Sequence, residues 1–481
     1  MPSANFFLDS PSLQAHAARL GLTADGGGRA LLERVGALAG EVFAPRAARI
    51  DASPPRLEDG RVVLPPEMQE NLAALRREGL CGITLPVAFG GRGLSNSAYA
   101  MLSEMVARAD ASLHNLFGLQ AIGELVARHG TPEQQAQFLP RLAKGEIGGA
   151  MALSEAAAGS DLQAVQVKAT QDADGQWFLD GRKHWVTNGG GGLMLVLARS
   201  EEGSTDGRGL SLFIVEASPQ VALVAVCDKM GLHGSPTCEV VFTHARAQLL
   251  GERRRGLVRY VPDLLLHARL AITAQAVGIA EAATRYAEAY AARRVQFGQP
   301  VAERPAVAAL LTRMRHETEA ARALLYENSA LMDRTDAGAA SREETLLLET
   351  LTPLAKAFAS EACNRVCYDA VQVCGGVGYM AGCPVERLYR DARVTSLYEG
   401  TTQLQYAAAV PGLIRHAFDA RLEQLWAALP PERQMSLQLS RQSFMAQLAV
   451  AQISRRNRLA LEAQAASLCE AAARLYAELL M

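Results

Sequence analysis

The sequence predicts an α+β multidomain chain: an all-α N-terminal domain, a middle antiparallel β-barrel or sandwich, and a C-terminal four-helix bundle followed by extra helices. Three observations predict it. Amphipathic helical patterns fill roughly the first 150 residues. From Val165 to Phe242 the pattern changes to short β-rich runs broken by turns, with no helix between them. From about Leu264, long alanine- and leucine-rich helical patterns return. These changes place domains at residues 1–148, 149–253 and 254–415, with a helical extension at 416–481.

In the first domain, Ala30 to Phe43 and Glu67 to Glu78 are amphipathic, and Pro65-Pro66 opens the second, where a first turn tolerates proline. Thr131-Pro132-Glu133-Gln134 is a helix start, with a capping Thr and an acidic first turn; its helix runs from Gln135 to Leu142 and stops before Gly145. In the second domain, Asp174-Gly175 signals a hairpin before Trp177 and Leu179. Leu193 to Leu197, Leu210 to Val215, Val221 to Val226 and Cys238 to Phe242 continue the strands. The bundle helices are read at Arg269 to Ala291, Ala306 to Ala330, Glu343 to Gly375 and Thr401 to Phe418, the third opened by a Ser341/Glu344 capping box. After Pro430-Pro431, Leu461, Ala465, Leu468, Ala472, Leu475 and Leu479 form a near-heptad stripe. Packing on its own bundle and a subunit contact are equal readings of that stripe.

The 481 residues are 49% hydrophobic, enough for several cores. A net charge of -2 gives no reason to expect nucleic acid or an anionic membrane as partner. The N-terminal residues lack a basic-then-apolar signal pattern, and Leu193 to Ala198 is too short to span a bilayer. A soluble, cytoplasmic protein is expected. Of the eight cysteines, Cys363, Cys367 and Cys374 share the spacing of an apolar helix face with Val366, Ala370 and Val371. No Cys-x-x-Cys pair occurs, so these are read as reduced core thiols, and no metal site is expected.

Glu399 stands between an aromatic residue and a Gly400-Thr401-Thr402 turn. A neighbouring ring can desolvate a carboxylate and raise its pKa, as a general base requires; a surface Glu at a helix boundary is the blander reading. The glycine runs Gly189 to Gly192 and Gly375-Gly376-Val377-Gly378 do not sit in a strand–helix unit, which argues against a nicotinamide-type site.

Five segments, in this order, carry a resemblance: Ser154-Glu155-Ala156-Ala157-Ala158-Gly159-Ser160-Asp161; Lys183-His184-Trp185-Val186-Thr187-Asn188-Gly189; Arg294-Val295-Gln296-Phe297-Gly298; Gln372-Val373-Cys374-Gly375-Gly376-Val377-Gly378-Tyr379; and the Glu399 segment. Together with His129-Gly130-Thr131-Pro132 and Lys229-Met230-Gly231-Leu232-His233-Gly234-Ser235, the chain from roughly Glu67 to Val410 resembles the acyl-CoA dehydrogenase family.

The resemblance implies FAD between the β-domain and the bundle, an acyl-CoA substrate, an electron-transferring flavoprotein as electron acceptor, and a homo-oligomer built as a dimer of dimers. Ser154 resembles the hydroxyl that meets the flavin ring, within the cofactor-binding stretch of Met151 and Leu153. Trp185 and Thr187 resemble residues that pack on the isoalloxazine and hydrogen-bond near N5. Arg294 and Phe297 match diphosphate-side contacts, where an arginine fork donates in pairs. Gln372, Gly375 and Gly376 match contacts offered to the partner subunit; Gly400, Thr401 and Gln403 match further FAD contacts. Ser160 resembles a pantetheine-side contact that also borders the cofactor, and Arg269, Tyr398 and Gly400 complete the implied substrate site. Glu399 matches the base that takes the α-proton while the β-carbon gives hydride to flavin N5. An acyl dehydrogenase acting on a carrier protein, a flavin monooxygenase and a non-catalytic binding relative are competing readings.

The chain departs from the family at Ala156, Leu266, Pro305, Tyr406 and Pro411, where proline, an acidic residue, glutamine and two arginines are common. Leu266 and Pro411 bear on how the acyl carrier is held.

Overall fold

The computed structural model describes residues 4–481, which form two compact units. One comprises residues 42–95 and 110–268, and the other residues 4–41, 96–109 and 269–481.

The first unit is built on a seven-stranded sheet. The Asp174-Gly175 turn joins Lys168–Gln171 to Trp177–Thr187 as an antiparallel pair. The Asp172 carboxylate accepts from the N–H groups of Asp174 and Gln176, an Asx-type closure of that turn. The long strand Thr237–Leu249 pairs with both Trp177–Thr187 and Val221–Val226. Two features refine the expected architecture. Gly148–Ala152 pairs parallel to Gly192–Arg199, so the sheet is mixed; two strands separated by a hairpin in sequence can run the same way. The N-terminal region also holds a short hairpin, Arg56–Glu58 with Arg61–Val63, too brief for its alternation to be read from sequence.

Apolar side chains alternate along the strands into two clusters. One gathers Leu193, Leu195, Leu197, Leu212 and Ile214 with Leu125, Phe138 and Leu142 from the helices Ala121–His129 and Pro132–Ala143. The other gathers Met194, Val196, Phe213, Val240 and Phe242. Pro132–Ala143 starts with the full capping box, Thr131 bonding Gln134 N–H and the Gln134 side chain returning to the Thr131 N–H.

His114, on the helix Ala111–Phe117, is buried with neither ring nitrogen hydrogen-bonded among the described residues. Burial lowers its pKa from 6.5 to about 3. The folded state therefore keeps it neutral while the unfolded chain binds a proton. Its contribution is fully present above pH 6.5 and is lost as pH falls toward 3. In His114→Leu, the slope of stability against pH in that window is expected to fall by up to about 1.4 kcal/mol per pH unit, read from urea unfolding at several pH values. An unchanged slope would contradict the assignment.

The second unit is helical. Val261–Arg293 begins within the first unit; its part from Arg269 joins Pro305–Asp336, Arg342–Cys374 and Thr402–Ile414 in the bundle. Ser341 and Glu344 form the expected capping box, and Gly375, at φ 60°, ends that helix. The apolar stretch Gly256–Arg293 has the length and composition of a membrane span, but its most apolar window is 78% buried in the fold, so it is a core helix. Cys363, Cys367 and Cys374 are buried with Val366 and Ala370, and all eight cysteines are free thiols.

Arg322 is fully buried at the centre of the bundle. Its guanidinium donates to Glu104 at 2.9 Å, to Glu281 at 2.8 Å and to Glu319, while Tyr326 Oη donates to Glu104 at 2.7 Å. One side chain thus ties Asn96–Ala109 to the two bundle helices.

The extension settles the question its stripe raised. Ala465, Leu468, Ala472, Leu475 and Leu479 are buried, and Arg458–Leu480 packs on Thr402–Ile414, Pro305–Asp336 and Arg342–Cys374 of its own chain. Tyr406 explains one departure. Its hydroxyl donates to Glu470 at 3.2 Å, and its carbonyl accepts from Cys469 Sγ at 3.7 Å. The residue standing where an arginine is common therefore anchors the extension. Pro305 is accommodated at the first turn of its helix, where no intrahelical N–H is needed. Nothing in the structure explains Ala156 or Leu266.

Candidate active site

Glu399 lies on a left-handed turn. Its φ is 53° and that of Gly400 is 93°, an unusual conformation for a glutamate and one that functional sites commonly hold under restraint. The restraints are visible. Gln405 Nε2 donates to the carbonyls of Glu399 at 3.0 Å and Gly400 at 2.8 Å. Lys356 Nζ, fully buried, donates to the Gly400 carbonyl at 2.8 Å. Gly400 suits its φ, and a Cβ there would meet Gln405 Nε2 at 2.7 Å and push aside the amide that holds the turn.

The turn is one end of a longer attachment. The helix Arg342–Cys374 presents Lys356, Ser360 and Asn364 at i, i+4 and i+8. Ser360 Oγ donates to Thr395 O at 2.9 Å, and Asn364 Nδ2 to Ala392 O at 3.1 Å. Glu361 accepts from Thr402 Oγ1 at 2.6 Å. Segment 392–402 is thus held along a polar stripe on that helix. None of these residues was singled out from sequence, although the stripe Lys356-x-x-x-Ser360-x-x-x-Asn364 was the signal that could have found them.

Burial raises the Glu399 pKa above the usual carboxylate range, while the charges of Lys356 and Arg269 pull it back. Arg269 is desolvated, and its Nε is buried without a hydrogen-bond partner among the described residues. An orphaned buried donor near a carboxylate is a group waiting for a ligand. Tyr398 donates its hydroxyl to the fully buried Gln275, which fixes the ring next to Glu399 in the chain. The Glu399 N–H has no acceptor among the described residues. Thr401 caps Thr402–Ile414 through its side chain, bonding Leu404 N–H, and Gln403 is exposed on the first turn.

In the β-sheet unit, Met151 and Leu153 lie on and just after the strand Gly148–Ala152, and Ser154 follows. Trp185 breaks the regular alternation of its strand. A bulge between Lys183 and Val186 shifts the register, Trp185 takes φ 57°, and its indole is 56% exposed. The bulge aims the ring outward while Thr187 stays in register opposite Thr237. The bulge and Ser154 are tied together: His184 N–H donates to the Ser154 carbonyl at 3.0 Å. Beneath them, the buried Lys183 Nζ donates to Leu153 O at 2.8 Å and Glu155 Oε1 at 3.0 Å, and Glu155 accepts from the N–H groups of Gln166 and Val167. This buried pair braces the Leu153-Ser154-Glu155 loop, a role the sequence did not show. Ser160 is exposed beyond it.

The remaining expected residues are open to approach. Arg294 is exposed at the hairpin of Val295–Gln296 and Gln299–Pro300, and Phe297 at its tip has φ 53° and is 92% exposed, with Arg304 over its ring. Gln372, Gly375 and Gly376 are exposed, and a Cβ on either glycine would touch nothing. Taken unit by unit, the outward-facing indole of the sheet unit suits a flat ring, and the exposed arginine and bare glycine backbone of the helical unit suit a diphosphate.

A helical, β and helical-bundle chain with such surfaces defines a flavin-dependent oxidoreductase. Models of the acyl-CoA dehydrogenase N-terminal, middle and C-terminal domains match residues 28–146, 150–245 and 256–411. A probable acyl-CoA dehydrogenase of Mycobacterium tuberculosis, FadE25, is 35% identical over 384 residues, 79% of this chain and 93% of the relative. Butyryl-CoA dehydrogenase of Megasphaera elsdenii superposes with a TM-score of 0.71 at 29% identity, over 84% of this chain and 99% of that one. ACDH-11 of Caenorhabditis elegans shares the fold over 98% of this chain and 86% of its own, with a TM-score of 0.85 at 21% identity. The chain belongs to the acyl-CoA dehydrogenase family; it is an oxidoreductase whose cofactor is FAD.

Proposed function

We propose that the protein removes the α-proton of an acyl-CoA thioester with Glu399 and so drives α,β-dehydrogenation. The observation that carries this reading is the restrained Glu399 turn, with a half-buried carboxylate whose pKa burial raises and an N–H that has no acceptor among the described residues. The carboxylate accepts the α-proton. The Glu399 N–H donates to the thioester carbonyl, an oxyanion-hole role that lowers the α-carbon pKa. Arg269 and Tyr398 border the substrate. FAD would supply the acceptor for the β-hydride; Met151, Leu153, Ser154, Ser160, Trp185 and Thr187 would hold its ring, Arg294 and Phe297 its diphosphate side, and Gly400, Thr401 and Gln403 would complete its contacts. Gln372, Gly375 and Gly376 serve the partner subunit of a homo-oligomer, in keeping with their exposure. The electrons leave to an electron-transferring flavoprotein, and the reaction is cytoplasmic.

Only ionised Glu399 can act, so the rate of flavin reduction is expected to rise with pH through a pKa above the usual carboxylate value. A stopped-flow pH profile checks this; a limb at or below about 4.3 contradicts it. The reading as a whole is tested by adding short, medium, long, branched and aromatic acyl-CoAs to the anaerobic holoenzyme. At least one is expected to bleach the flavin; bleaching by none would overturn the assignment.

A further inference from the structure

The geometry assigns to Lys356 the role of positioning residue for the base: it holds the Glu399-Gly400 turn in its left-handed form and supplies the positive charge that keeps the Glu399 carboxylate ionised. The inference deepens the reading of Glu399 as base and rests on it.

Lys356 is fully buried, and its one hydrogen bond among the described residues, 2.8 Å to the Gly400 carbonyl, falls on the residue next to the base. It comes from the middle of a 33-residue helix, a rigid support. A methionine there would fill the space more cheaply than an ammonium, because an isolated buried charge is strongly disfavoured. The charged groups acting on it are few: Glu399 and Glu361 favour its protonated form, and Arg269 opposes it. Glu361 is already engaged by Thr402. Burial brings the Lys356 pKa down to about 7, and Glu399 is the leading group that resists this. Arg269 is the second cation near the base, with an unpaired Nε suited to a ligand, which leaves Lys356 as the cation committed to the protein. Ser360, one turn along, makes the comparable bond to Thr395 without a charge, and so provides an internal control.

The test follows the protonated-carboxyl infrared band of the FAD-loaded protein without substrate, assigned by its disappearance in Glu399→Gln. In Lys356→Met the Glu399 titration midpoint is expected to rise by about one pH unit or more, while Ser360→Ala leaves it in place. Flavin reduction by a reactive acyl-CoA should slow about tenfold below the new midpoint, with KM unchanged. A folded Lys356→Met protein with the wild-type midpoint would overturn the proposal, as would an equal shift in Ser360→Ala. Where Lys356→Met does not fold, Lys356→Arg decides: a midpoint near wild type supports the charge role, and a rise of about one unit contradicts it. The titration needs no acyl-CoA, so its failure is distinct from a failure of the dehydrogenase reading.

Discussion

Glu399→Gln is expected to retain FAD and the fold while losing flavin reduction by acyl-CoA by about 10²–10⁴-fold, the range attributed to a positioned general base. The change removes one ionisable oxygen and almost nothing else. The main-chain bonds that shape the turn come from Gln405 and Lys356 and end on carbonyls, so they do not depend on the carboxylate. The N–H proposed to polarise the thioester also remains. What disappears is the only acceptor proposed for the α-proton. Anaerobic stopped-flow measures the rate, and the flavin spectrum confirms cofactor content. A variant that reduced its flavin within about tenfold of wild type would require another base.

Arg322→Met is expected to destabilise the helical unit by about 3–5 kcal/mol, the usual penalty for stranding a buried charge. Glu104 and Glu281 both lie in the core, and each directs a carboxylate oxygen at this guanidinium. Burial pushes the Glu104 pKa up. Arg322, aided by Arg285, overcomes burial at Glu281 and holds its pKa at about 2. The Glu281 contribution is therefore present in full above its ordinary pKa of 4.5 and is lost as pH falls toward 2. In Arg322→Met that benefit is absent, so the deficit against wild type should shrink on acidification. Arg322→Lys should fall between the two, because an ammonium cannot match the planar fork. Chemical unfolding at neutral and acid pH measures both effects; a deficit below about 1 kcal/mol at neutral pH would contradict the account.

Much of this was legible in the sequence because local rules and tertiary demands agree. The Thr131 and Ser341 capping boxes, the Asp174-Gly175 turn and the cysteine face of Arg342–Cys374 each appear where short-range chemistry puts them. What escaped depends on contacts between distant residues. The parallel pairing of Gly148–Ala152 with Gly192–Arg199 leaves no mark in either strand's own pattern. The Trp185 bulge hides in a run whose alternation looks regular. Lys183 and Lys356 read as ordinary lysines within a strand and a helix; only burial shows that one braces the Ser154 loop and the other the Glu399 turn. Tyr406 looked like a lost arginine until Glu470, 64 residues on, supplied its partner.

The central claim is that Glu399 takes the α-proton of an acyl thioester. Its most direct test separates that step from hydride transfer. The 3-thia analogue of an acyl-CoA that bleaches the flavin has no β-hydrogen to give, so only α-proton chemistry remains. With the anaerobic holoenzyme in D₂O, NMR should show deuterium entering its α-position with wild type and, with Glu399→Gln, no faster than in buffer. Exchange at equal rates in the two proteins, or none with wild type at saturating analogue, would contradict the assignment.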